Sequence, residues 1–174
     1  MKRTLSLAYI GLSGATIAVC SMITVPATVP FTLQSFAILL TVGLFGWKRG
    51  ALAVLLYLAI GAVGVPVFSG FQGGAGVFLG PTGGFLWGFL PTALATGLLL
   101  GKNPSLWRRF AAMGVGMIIL YLMGTLWFSF GYTGGASSFW KSLLLCCVPY
   151  LLPDAAKVAI AALLSHRCAP FIKQ

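Results

Sequence analysis

Long apolar segments alternate along the chain with short connections that carry most of the basic residues. A helix crosses a bilayer with about 20 apolar residues, and six segments approach that length. The pattern predicts an all-α integral membrane protein built as a bundle of six transmembrane helices. The expected spans cover about residues 5–25, 32–46, 50–64, 85–101, 109–130 and 150–168. We expect them to form one membrane domain over residues 1–174.

The distribution of Lys and Arg orients this bundle. Nine of the eleven basic residues fall at the termini or in every second connection, namely Lys2, Arg3, Lys48, Arg49, Lys102, Arg108, Arg109, Arg167 and Lys173. The alternate connections, at about 26–31, 65–84 and 131–139, contain no Lys or Arg. Because the cytoplasmic loops of membrane proteins carry the excess of Lys and Arg, both termini are predicted to be cytoplasmic.

Composition excludes several other classes of protein. The chain is 59% hydrophobic and 7% charged, which is too apolar to cover a surface in water. Its net charge of +10 is scattered between apolar segments and forms no basic patch, so nucleic acid is not an expected partner. No spacing of Cys and His indicates a metal site, and no set of side chains indicates a catalytic nucleophile. We predict no enzyme activity, no metal and no cofactor.

The segment LLPDAAKVAIAALL, residues 151–164, contains Asp154, the one acidic residue of the chain, and Lys157 three positions later. Residues at i and i+3 share a helix face, so the two charges should lie side by side. Ionisable residues within a membrane are usually functional, and a polar end to a ligand cavity is the favoured interpretation over a packing ion pair. Pro149 and Pro153 allow either a short outer helix followed by the last span or one long kinked helix.

Two further features point to binding and assembly. The Gly-rich connection, residues 65–84, lacks the basic residue of a phosphate loop and is predicted to be an outer lid, with Gln72 at its tip and Gln34 on the preceding outer connection. Span one carries Gly11/Ala15 and Gly14/Ala18 at four-residue spacing. Such small-residue faces allow close helix contact, either within the bundle or with another protein.

Three stretches together resemble one family. VPFTLQSFAILL (29–40), YLAIGAVGVPVFSGFQGGAGVFLGPTGGFLWGF (57–89) and PYLLPDAAKVAIAALL (149–164) resemble the BioY family, the biotin-binding S components of energy-coupling factor (ECF) transporters. The resemblance implies a six-helix prokaryotic cell-membrane protein that binds biotin from outside. It also implies a transmembrane coupling subunit and two ABC ATPases as partners, which supply the energy.

The resemblance also implies roles for particular residues. It places Asp154 and Lys157 in contact with biotin, makes Gln72 a candidate third polar contact, and assigns the coupling-subunit interface to span one, where Gly11/Ala15 and Gly14/Ala18 replace an Ala-x-x-x-Ala face. The biotin ring has two N–H donors for Asp154, whereas its carbonyl or its tail carboxylate could accept from Lys157. Apolar walls are expected from Phe31, Phe71, Phe85 and Trp87.

One carboxylate is too few for a proton-coupled carrier, which favours a binding unit that depends on other proteins for energy. Two alternatives remain open at this point. The chain could be an S component for another vitamin, or a non-catalytic assembly subunit in which Asp154 and Lys157 only fix helix packing. Binding of a vitamin separates both S-component hypotheses from the assembly subunit.

Overall fold

The computed structural model of the protein describes residues 2–25, 30–135 and 138–172. Five helical stretches within them are long and apolar enough to cross a membrane: Thr4–Met22, Gln34–Ala62, Gly83–Leu100, Leu106–Tyr132 and Phe139–Phe171. The protein is therefore all-helical, with several helices suited to a bilayer. Parts of the predicted connections at 26–31 and 131–139, and Lys173, lie outside the described residues.

Within the described ranges the main elements are six α-helices and one small strand pair. The helices are α1 (Lys2–Met22), α2 (Gln34–Ala62), α3 (Gly83–Leu100), α4 (Leu106–Leu126), α5 (Phe139–Cys146) and α6 (Leu151–Ile172). The strands β1 (Thr24–Val25) and β2 (Phe31–Thr32) pair antiparallel and close the connection between α1 and α2. A π-helical turn, Trp127–Tyr132, extends α4.

Helix α2 is a hairpin of two helical arms, residues 34–45 and 47–62. Gly46 interrupts the helix with φ 81° and ψ 174°, a conformation that glycine adopts without a Cβ clash. Gln34 donates a hydrogen bond to the Tyr57 hydroxyl, although 23 residues of continuous helix would separate them by about 35 Å. A Cβ on Gly50 would also lie 3.2 Å from the Cα of Val42. The two arms are therefore antiparallel neighbours, and they overlap the predicted spans at 32–46 and 50–64.

Of the two alternatives for the segment before α6, the structure has the short separate helix. Helix α5 ends at Cys146, a 3₁₀ turn at Val148–Tyr150 follows, and α6 begins at Leu151. Pro149 lies in that turn and Pro153 in the first turn of α6, where a missing N–H leaves no helical hydrogen bond unmade. Asp154 is consequently in the first turn of α6, where the helix dipole favours an anion.

Helices α3 and α4 approach each other closely through glycine. A Cβ on Gly84 would lie 2.2 Å from the Cβ of Trp127, and one on Gly124 would lie 2.4 Å from the ring of Phe85. Neither position has room for a larger side chain. The contact with Gly124 holds the ring of Phe85 in place, and this ring lines the ligand-sized cavity of the protein.

The Gly-rich connection is fastened to the helices at several points. The Val67 carbonyl accepts hydrogen bonds from Ser21 of α1 and from Tyr57, at 3.2 Å for the latter. The Gly80 carbonyl accepts from the Trp127 indole N–H at 3.0 Å. Phe68 is buried in the core and packs edge-on against the Tyr57 ring, with 5.5 Å between centroids. The connection thus forms a defined wall.

Candidate ligand-binding cavity

A cavity of about 760 Å³ lies between the N-terminal ends of α2, α3 and α6, the C-terminal half of α4 and the Gly-rich connection. Small-molecule sites in proteins typically occupy about 300–1,000 Å³. The lining includes Thr24, Phe31, Thr32, Gln34, Ser35, Gln72, Thr82, Phe85, Tyr121, Tyr150, Asp154 and Lys157. Apolar and aromatic walls with a few convergent polar groups are the usual make-up of a ligand site.

The ion pair between Asp154 and Lys157 forms the polar end of the cavity. The Lys157 Nζ lies 2.6 Å from the Asp154 Oδ1, and both residues are more than nine-tenths buried. A charge at the bilayer centre costs about 2.5–3.5 kcal/mol on the insertion scale, so an isolated charge would be unfavourable here. The i, i+3 spacing on α6 brings the two together, as the sequence predicts.

The ammonium group of Lys157 has further partners on the neighbouring chain segment. It donates to the Thr32 carbonyl at 2.6 Å and to the Ser35 hydroxyl at 3.3 Å. It also lies 3.7 Å from the centroid of the Phe31 ring, which is a cation–π contact. These contacts join the first turn of α6 to the start of α2. Phe31 is therefore a wall of the cavity and a partner of the cation.

Tyr121 of α4 holds the other side of the carboxylate. Its hydroxyl donates a hydrogen bond to the Asp154 Oδ2. Oδ1 is paired with Lys157, and no other described group donates to it. The sequence analysis did not select Tyr121. A signal was available, because a tyrosine in the middle of an apolar span needs a partner for its hydroxyl.

Gln34 lies on the cavity wall with both ends of its amide occupied. Its Oε1 accepts from the Thr32 hydroxyl at 2.9 Å, and its Nε2 donates to Tyr57. Tyr57 in turn donates to the Val67 carbonyl, which places the start of the Gly-rich connection. Gln34 thus links the cavity wall to that connection. The sequence analysis did not identify Tyr57 as its partner, since the pairing depends on the reversal of α2 at Gly46.

Two of the four predicted aromatic walls are outside the cavity. Phe31 and Phe85 line it, but Phe71 is 66% exposed and Trp87 is 51% exposed, and neither lines it. Phe71 sits in a turn with φ 58°. Trp87 follows Phe85 by two residues on α3, which turns its side chain about 200° around the helix. It packs instead against Phe78, with 5.0 Å between ring centroids.

The two small-residue faces of α1 have different surroundings. Gly14 is buried, and a Cβ there would lie 3.5 Å from the side chain of Leu56 on the second arm of α2. Ala18 packs against the core. Gly11 and Ala15 are exposed, and nothing lies within 4 Å of a Cβ built on Gly11. Gly14 and the half-buried Ala18 therefore contribute to packing within the bundle, whereas Gly11 and Ala15 point away from it.

Among the described residues no group of three or more His, Cys, Asp or Glu side chains could hold a metal ion. Cys146 and Cys147 are buried beside the π-helical turn, and Cys147 shares a hydrogen bond of 3.3 Å with Thr125. Cys146 contributes to the cavity lining as a small apolar residue. The polar chemistry of the cavity is consequently that of the Asp154 cluster and the neutral groups around it.

The fold and the cavity define an all-helical membrane protein that binds a small ligand near one end of its bundle. The family model of the BioY family matches residues 1–174. This chain belongs to the BioY family.

Named relatives and a solved structure agree with this assignment. The "Biotin transporter BioY" of Thermotoga maritima is 39% identical over 158 residues, covering 90% of this chain and 91% of the relative. That of Rhodobacter capsulatus is 37% identical over 187 aligned residues, covering 98% and 95%. A crystal structure of "the S-component for biotin from an ECF-type ABC transporter" matches with a TM-score of 0.87 at 26% identity, covering 99% of this chain and 93% of that one.

Proposed function

We propose that this chain binds biotin on the outside of a prokaryotic cytoplasmic membrane and delivers it for uptake as an S component. The observation that carries the proposal is the Asp154 carboxylate, the chain's single acid, held by Tyr121 and Lys157 at the polar end of a ligand-sized cavity. The names of the relatives, which are biotin transporters, support biotin as the ligand.

The chemistry of the cavity suits a cyclic urea on an apolar ring. The carboxylate of Asp154 accepts hydrogen bonds from the ring N–H groups, which is a charge-assisted and therefore strong interaction. The ring carbonyl accepts from Lys157 or from Ser35. The contact between these two residues, at 3.3 Å, is the longest of the three oxygen contacts of the ammonium group. Phe31 and Phe85 supply apolar surface for the sulfur-containing ring, and Gln72 is a neutral polar group at the Gly-rich connection.

Six spans with both termini in the cytoplasm are part of the proposal. The α2 hairpin supports it, because Lys48 and Arg49 follow the reversal at Gly46 and lie on the side predicted to be cytoplasmic. The Gly-rich connection then faces outward. Biotin arriving from outside would meet this connection before it reaches Asp154.

Energy for uptake is proposed to come from partner proteins, with this chain acting as a binding subunit and not as an enzyme. The partners are a transmembrane coupling subunit and two ABC ATPases, which alone use ATP. A single carboxylate, already engaged by Tyr121 and Lys157, leaves no relay for proton coupling. Gly11 and Ala15 offer an exposed small-residue face on α1 for the coupling subunit.

Mass identification of the small molecule that co-purifies with the protein tests the ligand. We expect biotin, and we expect unlabelled biotin to displace labelled biotin where thiamine and riboflavin do not. Displacement by another vitamin in preference to biotin would replace the ligand while keeping the S-component class. Absence of any bound vitamin, together with intact folding, would favour an assembly subunit and contradict the proposal.

A further inference from the structure

The ammonium group of Lys157 has three close oxygen neighbours within the protein. A lysine side chain has three N–H donors and no acceptor. In this protein they face the Asp154 Oδ1, the Thr32 carbonyl and the Ser35 hydroxyl, at 2.6, 2.6 and 3.3 Å. The ring of Phe31 covers a further side of the cation. Lys157 is thus engaged within the protein, and any ligand oxygen that it binds, whether carbonyl or carboxylate, replaces one of these contacts, of which the one to Ser35 is the longest.

The buried end of the cavity is electrically neutral as a unit. Asp154 and Lys157 contribute one negative and one positive charge, and no other described lining residue is charged. The residues outside the described ranges near this region, 26–29 and 136–137, contain no Lys, Arg or His in the sequence. A ligand carboxylate placed here would give a buried cluster with a net charge of −1, which is costly in an apolar setting. A neutral urea ring leaves the cluster balanced.

The other end of the cavity reaches the surface between neutral groups. Gly70, Gln72 and Gly76 of the Gly-rich connection line the cavity and are exposed. Thr24 and Ser69 lie next to them, and their hydroxyls share a hydrogen bond of 3.0 Å. We call these five residues the rim. It offers hydroxyl, amide and backbone groups together with access to water, and it contains no cation.

From this charge distribution we propose that the cavity binds the ring of biotin at its buried end, while the tail contacts only uncharged groups at the rim. Amides of the tail carboxylate are then also ligands. This inference rests on the proposed function. It extends the ligand class from free biotin to biotin whose carboxylate is an amide, including biotinyl-lysine, the lysine ε-amide. Conversion of the tail carboxylate to an amide removes no ion pair with the protein. The additional atoms of the amide extend through the open rim.

Titration of the purified protein with biotin, biotinamide and biotinyl-lysine tests the inference. We expect the three dissociation constants to agree within about threefold, since no charge-assisted hydrogen bond is lost on amidation. A tail carboxylate bound by Lys157 would instead make both amides at least about tenfold weaker, and that result would overturn the inference. If biotin itself does not bind, the proposed function fails; if biotin binds and the amides do not, only this inference fails.

A charge added at the rim gives a second, independent readout. Gln72→Arg places a cation beside the proposed path of the tail, whereas Leu79→Arg adds the same charge to an exposed position of the same connection outside the cavity. We expect Gln72→Arg to raise the preference for biotin over biotinamide by about threefold, the size of an exposed ion pair. Leu79→Arg should leave that ratio unchanged. An unchanged ratio in Gln72→Arg would show that the tail does not pass the rim.

Discussion

At the scale of single residues, the site depends on how one carboxylate is held. Asp154 receives a hydrogen bond from Tyr121 on one oxygen and an ion pair from Lys157 on the other. Tyr121 belongs to α4 and Lys157 to α6, so the orientation of the carboxylate depends on how these two helices pack. Tyr121 acts through Asp154, which makes it a positioning residue.

Removal of the Tyr121 hydroxyl should weaken biotin binding without unfolding the protein. Tyr121→Phe keeps the ring and deletes one hydrogen bond to a charged group, so we expect about tenfold weaker binding by titration calorimetry. Tyr132→Phe is the matched control, because Tyr132 is 51% exposed and lies outside the cavity lining. In an Asp154→Asn background the Tyr121→Phe change should have little further effect. Full additivity of the two changes would argue that Tyr121 acts independently of Asp154.

The sequence predicted the charged pair but not its supports. Asp154 and Lys157 are found at helical spacing by counting residues. Tyr121, Thr32 and Ser35 reach the pair through tertiary contacts 33, 125 and 122 residues apart in the chain, which no local pattern encodes. Phe71 and Trp87, predicted as apolar walls, lie outside the cavity lining. Composition selects aromatic residues but does not give the direction in which each side chain points.

At the scale of elements, glycine determines which helices touch. Apolar length was sufficient to predict helices near α1, α3 and α4. The reversal of α2 at Gly46 and the closeness of α3 to α4 at Gly84 and Gly124 require backbone geometry. The spacing of Pro149 and Pro153 left two alternatives, and the turn at Val148–Tyr150 selects the short helix α5 before α6.

Substitution of Gly84 should destabilise the α3–α4 contact. Gly84→Ala would place a Cβ 2.2 Å from the Cβ of Trp127, and overpacking of this kind costs about 1–3 kcal/mol. We expect a lower melting temperature in detergent. Gly114→Ala serves as the matched control, because nothing lies within 4 Å of its Cβ and alanine favours a helix by up to about 1 kcal/mol. Equal melting temperatures for the two variants would contradict the close packing at Gly84.

The whole molecule has a ligand-binding end and an end that carries positive charge. The cavity and the Gly-rich connection occupy the first end, and the connections with Lys48, Arg49, Arg108 and Arg109 lie toward the other. This separation agrees with the proposed orientation, in which the cavity opens to the outside and the basic connections face the cytoplasm. The exposed Gly11/Ala15 face of α1 is the separate surface that we propose for a coupling partner.

Cysteine labelling in intact cells tests this orientation. Cys168, near the end of α6, is exposed and can be kept as the one cysteine after Cys20, Cys146 and Cys147 are replaced by alanine. An impermeant maleimide should label it only after the membrane is opened. With Cys168 also removed, Gln72→Cys should be labelled in intact cells. The reverse pattern would place the Gly-rich connection in the cytoplasm and contradict capture from outside.

Biotin titration of the purified wild type and of Asp154 variants tests whether the Asp154 carboxylate binds the ligand. We expect Asp154→Asn to weaken binding by at least about 30-fold, because it removes the negative charge of a buried pair that faces the ligand and leaves Lys157 without its counter-charge. The double variant Asp154→Asn, Lys157→Gln carries no unpaired charge, so it should stay folded by size exclusion and still fail to bind. Biotin binding at wild-type affinity in a folded Asp154 variant would contradict the account.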